Sequence, residues 1–336
     1  MEEQTVIASV QQGVGRIVLN RKRALNALDL PMIVAIGAAL ERFAGDPAVR
    51  LVTIEGTGGK AFCAGGDVRA IRANTLSGDH AASEEFFVAE YAVNLAIAQY
   101  PKPFVALIDG ISMGGGMGLS IHGRHRVVTE ATMMAMPETT IALFPDIGAS
   151  FFLPRLPGRI GVWLALTSAR IGPGDALAAT LGTHFVPREK LDALKAALAT
   201  DGESALAQFA EPRAPETLDS VTRAMVARCF GAGTVPGIVA ALQAEGTAWA
   251  GAQLAALRAA SPTSLFVSLA VVMQGAASTL PEALQTELRL TRRITRHPDF
   301  LEGVRAQVID KTRDPKWQPP TIEDVDPAAI AALFAD

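Results

Sequence analysis

From residue 5 to about residue 136, short runs rich in β-branched side chains alternate with glycine-rich turns and stretches of helical spacing. Residues 5–10, 15–19, 51–54, 104–108, 126–128 and 133–136 have the length and composition of strands. Between them, 31–43 predicts a helix opened by Asp29 as cap with Pro31 in the first turn. A second helix is predicted over 84–99, closed by Pro101. From Gly158 onward the pattern changes to Ala- and Leu-rich segments broken by Gly and Pro, which predict helices over 190–199, 235–244, 252–260 and 284–296. The fold class is α/β with a helical C-terminal region.

Composition adds to this picture mainly by exclusion. Hydrophobic residues make up 49% of the 336 positions, enough for a large core, yet they are dispersed. No apolar run reaches the roughly 20 residues of a bilayer crossing, so no membrane partner is expected. The start, Met1-Glu2-Glu3-Gln4-Thr5, is acidic and lacks the basic opening of a secretory leader. Cys63 and Cys229 are the only cysteines, too few for a disulfide framework. Reduced thiols and a cytoplasmic location are expected. A net charge of −4, with basic residues scattered apart from Arg21-Lys22-Arg23, gives no general attraction to nucleic acid.

Two glycine clusters follow predicted strands and precede predicted helices: Gly56-Thr57-Gly58-Gly59 running to Cys63-Ala64-Gly65-Gly66-Asp67, and Met113-Gly114-Gly115-Gly116-Met117-Gly118. Glycine admits a ligand close to the backbone, and amides at a helix start carry unpaired donors and partial positive charge. Such a pair suits an oxyanion; the alternative is two tight strand-to-helix turns. Neither cluster has the Lys-Ser/Thr or the Gly-x-Gly-x-x-Gly spacing of a nucleotide cradle. Downstream, Glu138 and Asp146 stand eight residues apart in an apolar stretch. Burying two acids there requires either structural partners or a catalytic task. Asp67 is expected to cap the helix after it, and Cys63 to be packing. His122 and His125 have no third ligand nearby, so no metal is expected.

The chain resembles the crotonase (enoyl-CoA hydratase/isomerase) superfamily over nearly its whole length. The motifs are Val18-Leu19-Asn20-Arg21 with Ala24-Leu25-Asn26-Ala27-Leu28, then Phe62-Cys63-Ala64-Gly65-Gly66-Asp67-Val68, then Lys102-Pro103 through Asp109-Gly110 to Gly114-Gly115-Gly116. The resemblance implies a crotonase-type spiral of ββα units, with a core over 1–200 carrying an acyl-CoA site and a helical region over 201–336 packed on it. It implies that the Gly66 and Gly115 amides hold a thioester carbonyl. Hydratases of the family use a second glutamate where Gly118 stands, so the pair needed for hydration is broken.

Pro137-Glu138-Thr139 followed by Phe144-Pro145-Asp146 resembles the 3-hydroxyisobutyryl-CoA hydrolase branch. So do Phe86-Phe87 to Glu90-Tyr91, Ser261-Pro262-Thr263-Ser264-Leu265, and Asp299 through Asp314-Pro315-Lys316-Trp317. That branch implies thioester hydrolysis in valine degradation, with Glu90, Gly115, Glu138 and Asp146 around the acyl group and Glu138 and Asp146 carrying the chemistry. Arg23 lies where the family places cations near the coenzyme A phosphates. Coenzyme A is part of the substrate and no cofactor is implied; family members assemble as trimers or paired trimers, implying a homo-oligomer. The alternatives are an isomerase using Glu138 as its sole acid/base, or an inactive acyl-CoA-binding subunit.

Overall fold

A computed structural model of the protein describes residues 4–212, 214 and 216–335. Residues 1–3, part of the acidic start weighed against a secretory leader, lie outside the described residues. The chain clusters into two compact units. One comprises Met1–Asp67, Ala89–Met134 and Ile171–Thr217, the other Val68–Val88, Ala135–Arg170 and Leu218–Asp336.

The first unit is built on a six-stranded sheet. β1 (Val6–Gln11) returns as β2 (Val14–Leu19) through Gln12 and Gly13, both at positive φ (50° and 83°). That two-residue turn matches the right-handed twist of the strands it joins. β3 (Leu51–Gly56) follows, then β4 (Ala61–Cys63), β5 (Phe104–Ile108), β6 (Ile111–Met113), β7 (His125–Val128), β8 (Met133–Ala135) and β9 (His184–Phe185). The large sheet has the order β1-β2-β3-β5-β7-β9 and is parallel except for β1; β4, β6 and β8 form a small second sheet. Parallel neighbours need crossovers, which explains the alternating strand and helix periods.

Helix Leu30–Gly45 begins as expected, with the Asp29 side chain accepting from the Met32 amide at 3.0 Å. At its other end Lys102 Nζ donates to the carbonyls of Phe43 and Asp46, both at 2.6 Å, where helix carbonyls lack partners of their own. Helix His80–Ala98 starts four residues before the expected position.

The second unit is helical. Helix Pro262–Gly275 packs against Ala149–Phe152, Ile160–Thr167 and Leu280–Ile294. Its last residue must be glycine, because a Cβ on Gly275 would lie 2.0 Å from the Ser150 carbonyl oxygen. Residues 135–170 cluster with the C-terminal helices; the change in composition comes at Gly158, and the boundary implied by the resemblance is at 200. Among the described residues no single helix is long and apolar enough to cross a membrane.

Candidate active site

In the first unit, the three sequence motifs meet through their backbones. Leu25 and Asn26 adopt left-handed conformations (φ 52° and 58°), turning the chain after Arg21. Asn26 is fully buried and ties that turn to the sheet: its Oδ1 accepts from the Arg21 amide at 3.0 Å. Its Nδ2 donates to the carbonyls of Thr57 (3.0 Å) and Ala61 (2.9 Å). Leu28 then forms a parallel bridge to Gly66, donating to Gly65 O at 2.8 Å and accepting from Asp67 N at 2.7 Å. In that pattern the Gly66 N–H faces away from Leu28.

The Gly66 nitrogen lies close to the start of helix Gly115–Ile121. A Cβ on Gly115 would lie 3.3 Å from Gly66 N, and one on Gly65 would lie 3.9 Å from Gly115 N. The Gly115 amide is in the first turn and has no carbonyl within its own helix to donate to. The main-chain amides of Gly66 and Gly115 thus lie near one another, where neither residue carries a side chain. Gly116 is equally constrained, since its Cβ would meet the Cys63 carbonyl oxygen at 2.2 Å. Glu90, 3% exposed on helix His80–Ala98, brings its Oε1 to 2.3 Å from where a Gly115 Cβ would be. Of the expected site residues, the structure brings Gly66, Gly115 and Glu90 together here. Cys63 is buried and inert: desolvation pushes its thiol up to about 12.

The Asp67 carboxylate pairs with Arg21 at 2.8 Å, and Arg21 also reaches Asp29 at 3.5 Å and the Ala27 carbonyl at 3.0 Å. Arg21 is therefore committed to holding the turn. Arg23 sits exposed in the turn Lys22–Ala24. His125 pairs with Glu203 at 2.9 Å, and its ring lies 5.7 Å from that of His184.

In the second unit, Glu138 and Asp146 lie on one looped segment and are 5% and 4% exposed. Glu138 opens the short turn Glu138–Ile141, and its carbonyl accepts from the Leu143 amide at 3.0 Å. The C-terminal motifs clamp this segment. Ser261 caps helix Pro262–Gly275, and its own amide donates to Thr139 O at 3.1 Å; the Ser264 hydroxyl donates to Leu143 O. Gly303 packs so closely that a Cβ there would lie 2.7 Å from Ile141 C and Cα. Asp299 accepts from the Ser261 hydroxyl at 3.0 Å and from the Gln318 amide at 2.7 Å, joining the two C-terminal motifs. Sequence reasoning registered these motifs as resemblance; their physical task is to hold the carboxylate segment.

Beyond Asp146, Glu287 was missed altogether. It is fully buried on helix Leu280–Ile294 and accepts from Gly148 N (2.7 Å), Ser150 N (2.9 Å) and Ser150 Oγ (2.6 Å). Its only sequence signal is an acid at a buried helical spacing, and the abundant charges of its helix conceal it.

The enoyl-CoA hydratase/isomerase family model matches residues 14–334. The chain belongs to that family. Members similar to it include proteins named "3-hydroxyisobutyryl-CoA hydrolase, mitochondrial" from Xenopus tropicalis (43% identical, covering 95% of this chain and 86% of the relative) and Homo sapiens (43%, 93% and 83%). Among solved structures, an enoyl-CoA hydratase from Rhodobacter sphaeroides is 44% identical with a TM-score of 0.92. A carnitinyl-CoA dehydratase from Mycobacterium thermoresistibile is 37% identical with a TM-score of 0.95. Each alignment covers 99% of this chain and 97% of the other. The fold is therefore the crotonase type, α/β with a helical C-terminal region.

Proposed function

We propose that this crotonase-family protein hydrolyses a short branched hydroxyacyl-CoA thioester, converting 3-hydroxyisobutyryl-CoA to 3-hydroxyisobutyrate and coenzyme A in valine degradation. The observation that carries the reading is at position 118. There a buried glycine in helix Gly115–Ile121 stands where the family's hydratases place their second carboxylate, while Glu138 is retained. Hydration needs an acid and a base; thioester cleavage can proceed with one. The names of the curated relatives support the same activity.

In this mechanism the Gly66 and Gly115 amides polarise the thioester carbonyl and stabilise the tetrahedral oxyanion, each donor being worth about 2.7–4 kcal/mol. Glu138 either takes a proton from the attacking water or attacks the carbonyl carbon itself, forming a mixed anhydride that water then opens. In both routes the C–S bond breaks and the departing thiolate leaves as coenzyme A thiol. Asp146 orients water or the acyl hydroxyl, and Glu90 receives that hydroxyl, selecting against chains that lack it. Arg23 contributes charge-assisted contacts to the coenzyme A phosphates. Water and thioester suffice, with no cofactor.

Assembly into a homo-oligomer is part of the proposal. So is a cytoplasmic location; "mitochondrial" is in the names of the relatives. One incubation with 3-hydroxyisobutyryl-CoA, read by thiol release and product mass, tests the activity. Thiol release with a free hydroxy acid is expected; double-bond migration without thiol would mean an isomerase, and unchanged thioester a binding subunit.

A further inference from the structure

Asp146 is followed by an unusual piece of backbone. Ile147 is held at φ 61° and Gly148 at φ 79°. For glycine this is free of penalty, but a β-branched side chain at positive φ is a marked outlier, and such strain persists only where the surroundings enforce it. The chain then enters the short helical turn Ala149–Phe152, with the Ala149 amide donating to Asp146 O at 2.9 Å. Gly148 and Ser150 therefore belong to the same short hydrogen-bonded turn as the Asp146 backbone.

Both of those residues are gripped by one side chain. Glu287 Oε2 accepts from Gly148 N at 2.7 Å, and Oε1 accepts from Ser150 N at 2.9 Å and from Ser150 Oγ at 2.6 Å. Three donors on two oxygens is the arrangement that suits an ionised carboxylate. A fully buried carboxylate is a costly way to fill a core, and an apolar side chain of similar size would fill it with less penalty. Its presence at this point calls for a task beyond packing.

We infer that Glu287 is a positioning residue for the reaction, clamping the strained Ile147–Gly148 turn through Gly148 and Ser150 so that Asp146 is presented in its working orientation. The inference rests on the proposed role of Asp146. Burial, joined by the negative charge of Asp146, pushes the Glu287 carboxyl up to about 8 and so favours its neutral form, while the Ser150 and Gly148 donors oppose that by favouring the ionised form; the clamp itself rests on the hydrogen-bond geometry.

Glu287→Gln is the informative change. Its amide can keep one oxygen on Ser150, but then its NH2 faces the Gly148 N–H, donor against donor. Turnover (kcat) should fall about tenfold to hundredfold, the scale of an ångström-sized misplacement, while KM for the acyl-CoA stays within about twofold. The decisive measurement is the double-mutant cycle with Asp146→Asn. If Glu287 acts through Asp146, adding Glu287→Gln to Asp146→Asn costs little more than Asp146→Asn alone. An impaired Asp146→Asn protein in which Glu287→Gln still exerts its full effect would overturn the positioning inference and leave the functional reading standing. Asp146→Asn with parental turnover would overturn the assigned role of Asp146 and the inference with it. Should Glu287→Gln fail to fold, Ser150→Ala removes one donor of the clamp and runs the same cycle, with a several-fold loss expected only when Asp146 is present.

Discussion

Gly115 and Glu90 are mutually exclusive with any side chain between them: a Cβ on Gly115 would stand 2.3 Å from Glu90 Oε1 and 3.3 Å from the Gly66 amide nitrogen. There is thus no room for a side chain on Gly115 beside the two neighbouring amides, and an acidic side chain borders them.

Replacing Gly115 by alanine tests that lack of room. Glu90 Oε1 is the end of a flexible side chain and can move aside, so the protein should fold; the methyl group would then crowd the amides proposed to hold the carbonyl oxygen. A loss of about 100-fold or more in kcat/KM is expected, comparable to removing an oxyanion donor. Parental rates in a well-folded Gly115→Ala protein would contradict the placement of the thioester.

Gly303→Ala tests the clamp on the carboxylate segment. Its Cβ would press on backbone atoms of Ile141, which cannot swing away, 2.7 Å from where it would sit. Thermal or denaturant unfolding should show a loss of about 1–3 kcal/mol, as for other overpacked sites. Activity should fall further than stability explains, since the turn carrying Glu138 has to shift.

The C-terminal segment supplies a pH prediction. Arg305 forms two 2.8 Å hydrogen bonds to the Glu302 carboxylate, and the Lys316 amide adds a third at 2.8 Å. These hold the carboxyl at about 2, below its ordinary 4.5. A depressed acid contributes stability fully above its unfolded value and loses it as pH falls toward the folded one. Glu302→Gln should therefore destabilise the protein by roughly 1 kcal/mol at neutral pH. The difference from the parent should narrow steadily as pH falls below 4.5. Melting curves showing a constant difference across that range would contradict the assignment.

Much of this arrangement is legible in the sequence, and the exceptions have physical causes. β2, β3 and β5 are β-branched runs buried on a parallel sheet, and Asp29 with Pro31 marks a helix start by local chemistry alone. β4 and β6 were not read as strands, because their three-residue pairings depend on what the rest of the chain brings alongside. Helix Ile160–Thr167 is buried on every side, so it offers no polar face for periodicity to reveal. For the site, the glycines and the two acids stood out because their types are unusual in apolar surroundings. Glu287 did not, since in Leu280–Ile294 it is one charge among several, and only packing shows that it points inward.

The most direct test of thioester hydrolysis through Glu138 is coenzyme A thiol release from 3-hydroxyisobutyryl-CoA by Glu138→Gln and Asp146→Asn proteins of parental fold. The account predicts that Glu138→Gln lowers turnover by about 10²–10⁴-fold, the scale of a lost general base, with a smaller but clear loss for Asp146→Asn. Near-parental turnover in both proteins would contradict it.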